Sequence, residues 1–147
     1  MEVLKVIYLQ REPLDRIKFS RNGNVTAVFS TSLNNIFLVN SIKNDIKVLC
    51  HLKFDKTIID FLIYDEIESE SKILSLKAIL LIENSPVPSV GNKIEFFTIE
   101  MLDYRFNKEF ELETDYFYQN LNYGIGDYDF IAAPFLTKQI HLFEIKV

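Results

Sequence analysis

Apolar and polar residues alternate with a period of two along most of this chain, the pattern of half-buried strands. Residues 4–10 (LKVIYLQ) read as a strand stopped by Pro13. Residues 15–20 (DRIKFS) form a short strand with Ile17 and Phe19 on one face. Asn22-Gly23 supplies the positive φ angles of a tight hairpin, after which 25–30 (VTAVFS) return. A second turn at 31–35 leads into 36–40 (IFLVN), and 42–54 (IKNDIKVLCHLKF) hold a fourth strand with Ile46, Val48, Leu52 and Phe54 at its apolar positions.

The same rhythm then recurs twice. Residues 57–64 (TIIDFLIY) are a strand, and 65–72 (DEIESESK) read as a solvated, charged loop tip. Residues 73–82 (ILSLKAILLI) suit either a helix or a buried strand; their β-branched content and the preceding turn favour the strand. A Pro/Ser/Gly loop at 83–92 precedes the strands 93–100 (KIEFFTIE) and 107–113 (NKEFELE). A third round runs through 115–121, a loop at 122–129, 130–135 (FIAAPF) and 140–145 (IHLFEI).

Three stretches align: NNIFLVNS, NKIEFFTIE and KQIHLFEIK. Each places an Ile two residues after a polar turn position (Asn34, Asn92, Lys138), and Val39, Phe97 and Phe143 become equivalent. The period is close to the roughly 40–50 residues of a four-stranded propeller blade. The run from Ile17 to Asn40 (IKFSRNGNVTAVFSTSLNNIFLVN) resembles a WD40 repeat. Ile17, Phe19 and Ser20 match that family's first strand and Asn22-Gly23 its turn. Asn34 stands at the turn Asp, and Val39-Asn40 stand where Trp-Asp would be. Phe97-Thr98 and Phe143-Glu144 occupy the Trp-Asp place in the later units, and no unit carries the family's full Asp, His, Ser/Thr and Trp network. The expectation is therefore a set of sheets held by apolar packing alone. Residues 35–61 also resemble degenerate repeats of cilia- and flagella-associated WD-repeat proteins, which implies a scaffold of an axonemal complex.

The fold expected is all-β: a partial β-propeller of about three four-stranded antiparallel blades, as a segment of a larger propeller. The blades span about 15–54, 57–113 and 115–147 in one continuous segment 1–147, with 4–10 as the outer strand of a neighbouring blade. Three blades are too few for a ring of four to eight. Either a longer polypeptide or another chain would supply the rest.

Composition sharpens this reading. With 48% hydrophobic residues the chain can build a core, and 13 Phe and 7 Tyr favour pleated surfaces. The net charge of −5 argues against nucleic acid, since no basic stripe is present; Arg11 with Arg16, and Arg105 with Lys108, read as solvated strand ends. Cys50 is the single cysteine, read as strand packing, and excludes an intrachain disulfide. The N-terminal residues lack a secretory pattern, and the longest apolar run, 78–82, is far shorter than the ~20 residues of a membrane helix. A cytoplasmic protein is expected, placed at the cilium or flagellum axoneme if the second resemblance holds.

Candidate chemistry is sparse. His51 and His141 lie far apart, and His141 reads as a solvent-facing strand residue; one Cys and two His offer no metal spacing. Gly124-Ile125-Gly126 lacks the third glycine and the helix of a dinucleotide site. The carboxylate pairs Asp65/Glu66, Glu68/Glu70, Glu111/Glu113 and Asp127/Asp129 read as wet faces and loops. No cofactor, metal or catalytic residue is expected. Tyr104, Tyr116, Tyr118 and Tyr123 stand out as a partner-binding surface, because tyrosine is favoured at interface hot spots; the alternative is that they divide between core and sheet surface. The expected function is a non-catalytic scaffold for protein–protein association, whose acidic balance favours basic partner surfaces. The rivals are a free-standing β-sandwich or β-barrel accessory subunit, and a hydrolase using paired carboxylates.

Overall fold

A computed structural model describes residues 2, 6–9, 13–30, 34–42, 46–70, 72–84 and 91–146. The turn expected at 31–33, residues 85–90 of the Pro/Ser loop, and residues 4, 5 and 10 of the expected outer strand lie outside them; Val6, Ile7, Tyr8 and Leu9 carry no strand. Every described element is a strand. The first sheet pairs β1 (Arg16–Phe19), β2 (Val25–Phe29), β3 (Asn35–Asn40) and β4 (Lys47–Lys53) in chain order. The second pairs β5 (Ile58–Ser69), β6 (Lys72–Ile82), β7 (Lys93–Glu100) and β8 (Arg105–Glu113) in the same way. The third holds β9 (Tyr118–Tyr123), β10 (Phe130–Pro134) and β11 (His141–Phe143). All pairings are antiparallel. The fold class is the expected one, with three strands rather than four in the third sheet among the described residues.

The register carries the internal repeat into three dimensions. Val39, Phe97 and Phe143 each lie on the third strand of their sheet. The cross-strand rows through them are Phe19–Thr26–Val39–Val48, Ile63–Ala78–Phe97–Lys108 and Tyr123–Phe130–Phe143. A bulge precedes the first two at the same place, Leu38/Val39 and Phe96/Phe97. Connections repeat as well: the Phe54 N–H donates to the Asn34 carbonyl (2.8 Å) and the Thr114 N–H to the Asn92 carbonyl (3.1 Å).

The second sheet lies between the other two, and alternation decides which residue goes where. One of its faces (Ile63, Leu76, Ala78, Leu80, Phe97, Ile99) packs on Ala27, Phe29, Ile36, Leu38 and Leu52 of the first sheet. The opposite face (Leu62, Ile79, Leu81, Ile94, Phe96) packs on Tyr118, Leu121, Phe130 and Ala132 of the third. The middle strand β6 is therefore apolar on both sides, which explains why ILSLKAILLI shows no clean alternation. At β4 the bulge turns Leu49 and Cys50 toward the core together and leaves Val48 outward, so the apolar phase expected there is shifted.

Two further expectations fall. The run DEIESESK is not a loop tip: 65–69 continue β5 as a ladder against β6, through pairs such as Glu66↔Leu76 and Ser69↔Lys72. Its turn comes at Glu70, where φ is 54°. Apolar packing is also not the sole tie between sheets, because Glu66 and Asp60 are both buried and both cross-linked to other sheets.

Candidate functional site

The polar side chains converge where β1, β5 and β9 meet. Asp60 is fully buried on β5. Its Oδ1 accepts the Phe61 N–H (2.9 Å), its Oδ2 accepts the Leu121 N–H of β9 (2.7 Å), and the Lys18 ammonium of β1 stands 3.1 Å from Oδ2. Lys18 also donates to the Leu121 carbonyl (2.7 Å), and Arg16 reaches the Asn120 side-chain oxygen (3.4 Å). One carboxylate thus joins the leading strands of all three sheets. A buried charge needs such partners, since unpaired it would cost several kcal/mol.

A second tie lies further along β5, against the β1–β2 hairpin. Glu66 accepts from the Ser20 hydroxyl and, at its other oxygen, from Asn24 (3.0 Å) and Asn22 (3.5 Å). Ser20 Oγ in turn accepts the Val25 N–H (3.1 Å). The Asn-Gly hairpin read from the sequence, with Gly23 at φ 77°, is the donor cradle for this carboxylate. A third tie joins the second and third sheets. Asn92, fully buried, donates to the Tyr118 carbonyl (2.7 Å) and accepts the Tyr118 N–H (3.2 Å).

The four tyrosines do not form one surface. Tyr104 closes the β7–β8 turn with φ 53° and lines a cavity of about 260 Å³ with Val25, Leu49, Ile73 and Met101. Tyr116 and Tyr118 meet at His141, but Tyr118 is only 3% exposed, its ring filling core space. Its hydroxyl shares a 2.6 Å hydrogen bond with His141 Nδ1. His141 is thereby half-buried and wedged among aromatics, not solvent-facing as the alternation suggests. Tyr123 is half-buried beneath the Arg21 guanidinium, 5.3 Å from its ring centre; burial pushes its phenol up to about 12, against the opposing pull of Arg21. Tyr104 and Tyr116 both keep exposed edges, the first beside Met101 and the second beside His141.

The remaining sequence candidates act as struts. His51 stacks on Phe37 at 4.2 Å. Glu111 is held by Lys93 (3.1 Å) and Lys108 (2.9 Å), and Asp129 accepts the Ile145 N–H (2.6 Å). Among the described residues, no group of three His, Cys, Asp or Glu is placed to hold a metal ion. Beside Lys18 a shallow cavity of about 260 Å³ opens onto Asn120, Asn122, Ile131, Ala133 and Ile140, on the face of the third sheet turned away from the second.

No protein-family model matches the chain, and no curated protein sequence matches it. Its structure superposes on the crystal structure of the WD40 domain of SCAP from fission yeast, with a TM-score of 0.54 and 8% identity, over 93% of this chain and 33% of that one. The chain has a WD40-like fold. It spans about a third of the length of the structure it matches. Three consecutive antiparallel sheets of three to four strands, stacked face on face, make it a partial propeller. In this WD40-like chain the ties between sheets include Lys18–Asp60, Ser20–Glu66 and Asn92–Tyr118. Sequence reading missed the two carboxylates because Asp60 is the lone acid of the apolar run TIIDFLIY and Glu66 sits among acids that face water, and only the placement of distant strands reveals their donors. The Asn34/Asn92 equivalence was the one available signal.

Proposed function

We propose that this chain is a non-catalytic scaffold for protein–protein association. The observation that carries the reading is the sheet stack itself. Buried Ser20, Asp60, Glu66 and Asn92 tie sheets together, while apolar side chains stand open at its two ends: Ile17 and Phe19 on the first sheet, Ile140 and Leu142 on the third. Exposed apolar clusters of this kind mark association surfaces. Of the paired carboxylates, Asp129 accepts a backbone N–H, Glu111 is held by lysines and Glu66 by the Asn-Gly hairpin. The WD40-like fold supports protein partners in general terms. A finer setting in an axonemal complex rests solely on the resemblance of residues 35–61, and imaging of a fluorescent fusion in ciliated cells tests it.

Cross-linking of the tagged chain in its native cells, followed by native sizing and mass spectrometry, tests the scaffold reading. The expected result is a species heavier than two 17.2 kDa chains, with reproducible cross-links to other proteins. Migration at no more than twice the chain mass, with no foreign cross-link, would overturn it.

A further inference from the structure

The two open faces of the stack are related by its internal repeat. Each sheet has a leading face, which rests on the sheet before it, and a trailing face, which receives the sheet after it. On the trailing faces, equivalent positions by register are Leu38, Phe96 and Leu142, and likewise Ile36, Ile94 and Ile140. In the first two sheets these are sealed under the next sheet: Ile36, Leu38 and Ile94 are 0% exposed and Phe96 is 4%. In the third sheet Ile140 is 68% exposed and Leu142 is 48%. The third trailing face is thus the same surface as the two others, with nothing seated on it among the described residues. The first sheet's leading face is its complement. Its rows Ile17–Val28–Phe37–His51 and Phe19–Thr26–Val39–Val48 stand where Phe61 and Ile63 of the second sheet, and Leu121 and Tyr123 of the third, rest on the sheet before. Ile17 and Phe19 on that face are 62% and 60% exposed, and Val48 is 42%.

We propose that a second copy of this chain seats the leading face of its first sheet on the trailing face of the third, so that two copies close head to tail into one ring of six sheets. The inference rests on the scaffold reading and names one partner for it. Three observations select a second copy. By register the chain carries both halves of the junction; the trailing half is open at Ile140 and Leu142, and the leading half is open along its outer strands at Ile17, Phe19 and Val48, with Phe37 and Val39 between them buried. The positions that meet, Asn120, Asn122, Ile131, Ala133, Ile140 and Leu142 with Ile17, Phe19, Val28 and Val48, are uncharged; Lys53 lies beyond them on the leading face, and Arg16 and Lys18 border the trailing one. Three sheets from each copy make six, within the four to eight of a closed propeller. Face-to-face pairing of two leading faces is less favourable, because it leaves the trailing apolar positions in water and completes no ring of sheets.

The polar tie of the existing junction has its counterpart as well. Asn120 is the register equivalent of Asp60, and Ile17 of Leu121. Where Asp60 accepts the Leu121 N–H, the Asn120 side-chain oxygen, now meeting Arg16 at 3.4 Å, would accept the Ile17 N–H of the second copy.

Sedimentation of the full chain, with Phe19→Glu and Leu142→Glu variants, tests this. Both side chains are exposed, so far-UV circular dichroism should match the parent, whereas the melting point should fall to that of the dissociated parent at low concentration. The parent is expected at twice 17.2 kDa, and either substitution should raise the dimer dissociation constant about tenfold or more. An equimolar mixture of the two variants retains one intact junction and should associate more strongly than either alone. Ile140→Glu and Val48→Glu serve as second reporters of each face. A parent that is monomeric at about 100 μM, far above the affinity of a stable interface, overturns the proposal. A Leu142→Glu variant that stays dimeric also overturns it and identifies face-to-face pairing instead. A monomer that still cross-links to other proteins leaves the scaffold reading standing; a head-to-tail dimer that meets none removes that reading and keeps this one.

Discussion

Asp60 shows how a single side chain can hold an architecture. Its carboxylate is fully buried, bonded to two backbone N–H groups and paired with Lys18. Removing it leaves the Lys18 ammonium, itself mostly buried, facing an unfilled space, and frees the Leu121 N–H in the core. Asp60→Ala is expected to cost about 3–5 kcal/mol, read as a lower denaturation midpoint at unchanged m-value. Lys18→Met with Asp60→Ala should recover part of that loss, because no lone buried charge then remains. Cys50 makes a contrasting case. Burial pushes its thiol up to about 11 from the ordinary 9.0, so the folded state holds the proton more tightly than the unfolded chain. Its contribution to stability is therefore complete below pH 9.0 and is lost as pH rises to about 11. Alkylation of Cys50 at pH 8 should be slow in the folded protein and quicken on unfolding; equal rates in the two states would contradict this burial.

At the scale of elements, the repeat is visible in the junction loops. The turns that end β4 and β8 make the same backbone bond, to Asn34 and to Asn92. They then diverge: the Asn34 amide stays in its own sheet, bonding the Phe54 carbonyl (2.6 Å), whereas Asn92 reaches across to Tyr118. Gly91 allows that approach, since a methyl group there would stand 1.6 Å from the Thr114 carbonyl oxygen. Gly91→Ala must push the two loops apart, with an expected cost of about 1–3 kcal/mol and a loosened third sheet. Hydrogen exchange should locate the change at β9 and leave β2 and β3 protected. The strands themselves were legible, because alternation in KIEFFTIE or VTAVFS needs no partner to be recognised. Residues 65–69 were not. A run of acids signals solvent unless donors converge on it, and those donors, Ser20, Asn22 and Asn24, lie some forty residues away.

For the whole molecule, the order of the sheets follows from chain order, and the stacking from apolar faces that cannot stay in water. Sequence alone determined most of the strands, the hairpin at Asn22-Gly23, the all-β class and the equivalence of Val39, Phe97 and Phe143. These are local or periodic properties, written in the spacing of side chains along one chain. Tertiary structure alone decided which acids are buried, that Tyr118 and His141 meet, that the four tyrosines disperse, and which faces stay open. Each of those depends on distances between residues far apart in sequence, and burial, pairing and exposure exist only once the sheets have taken their places beside one another.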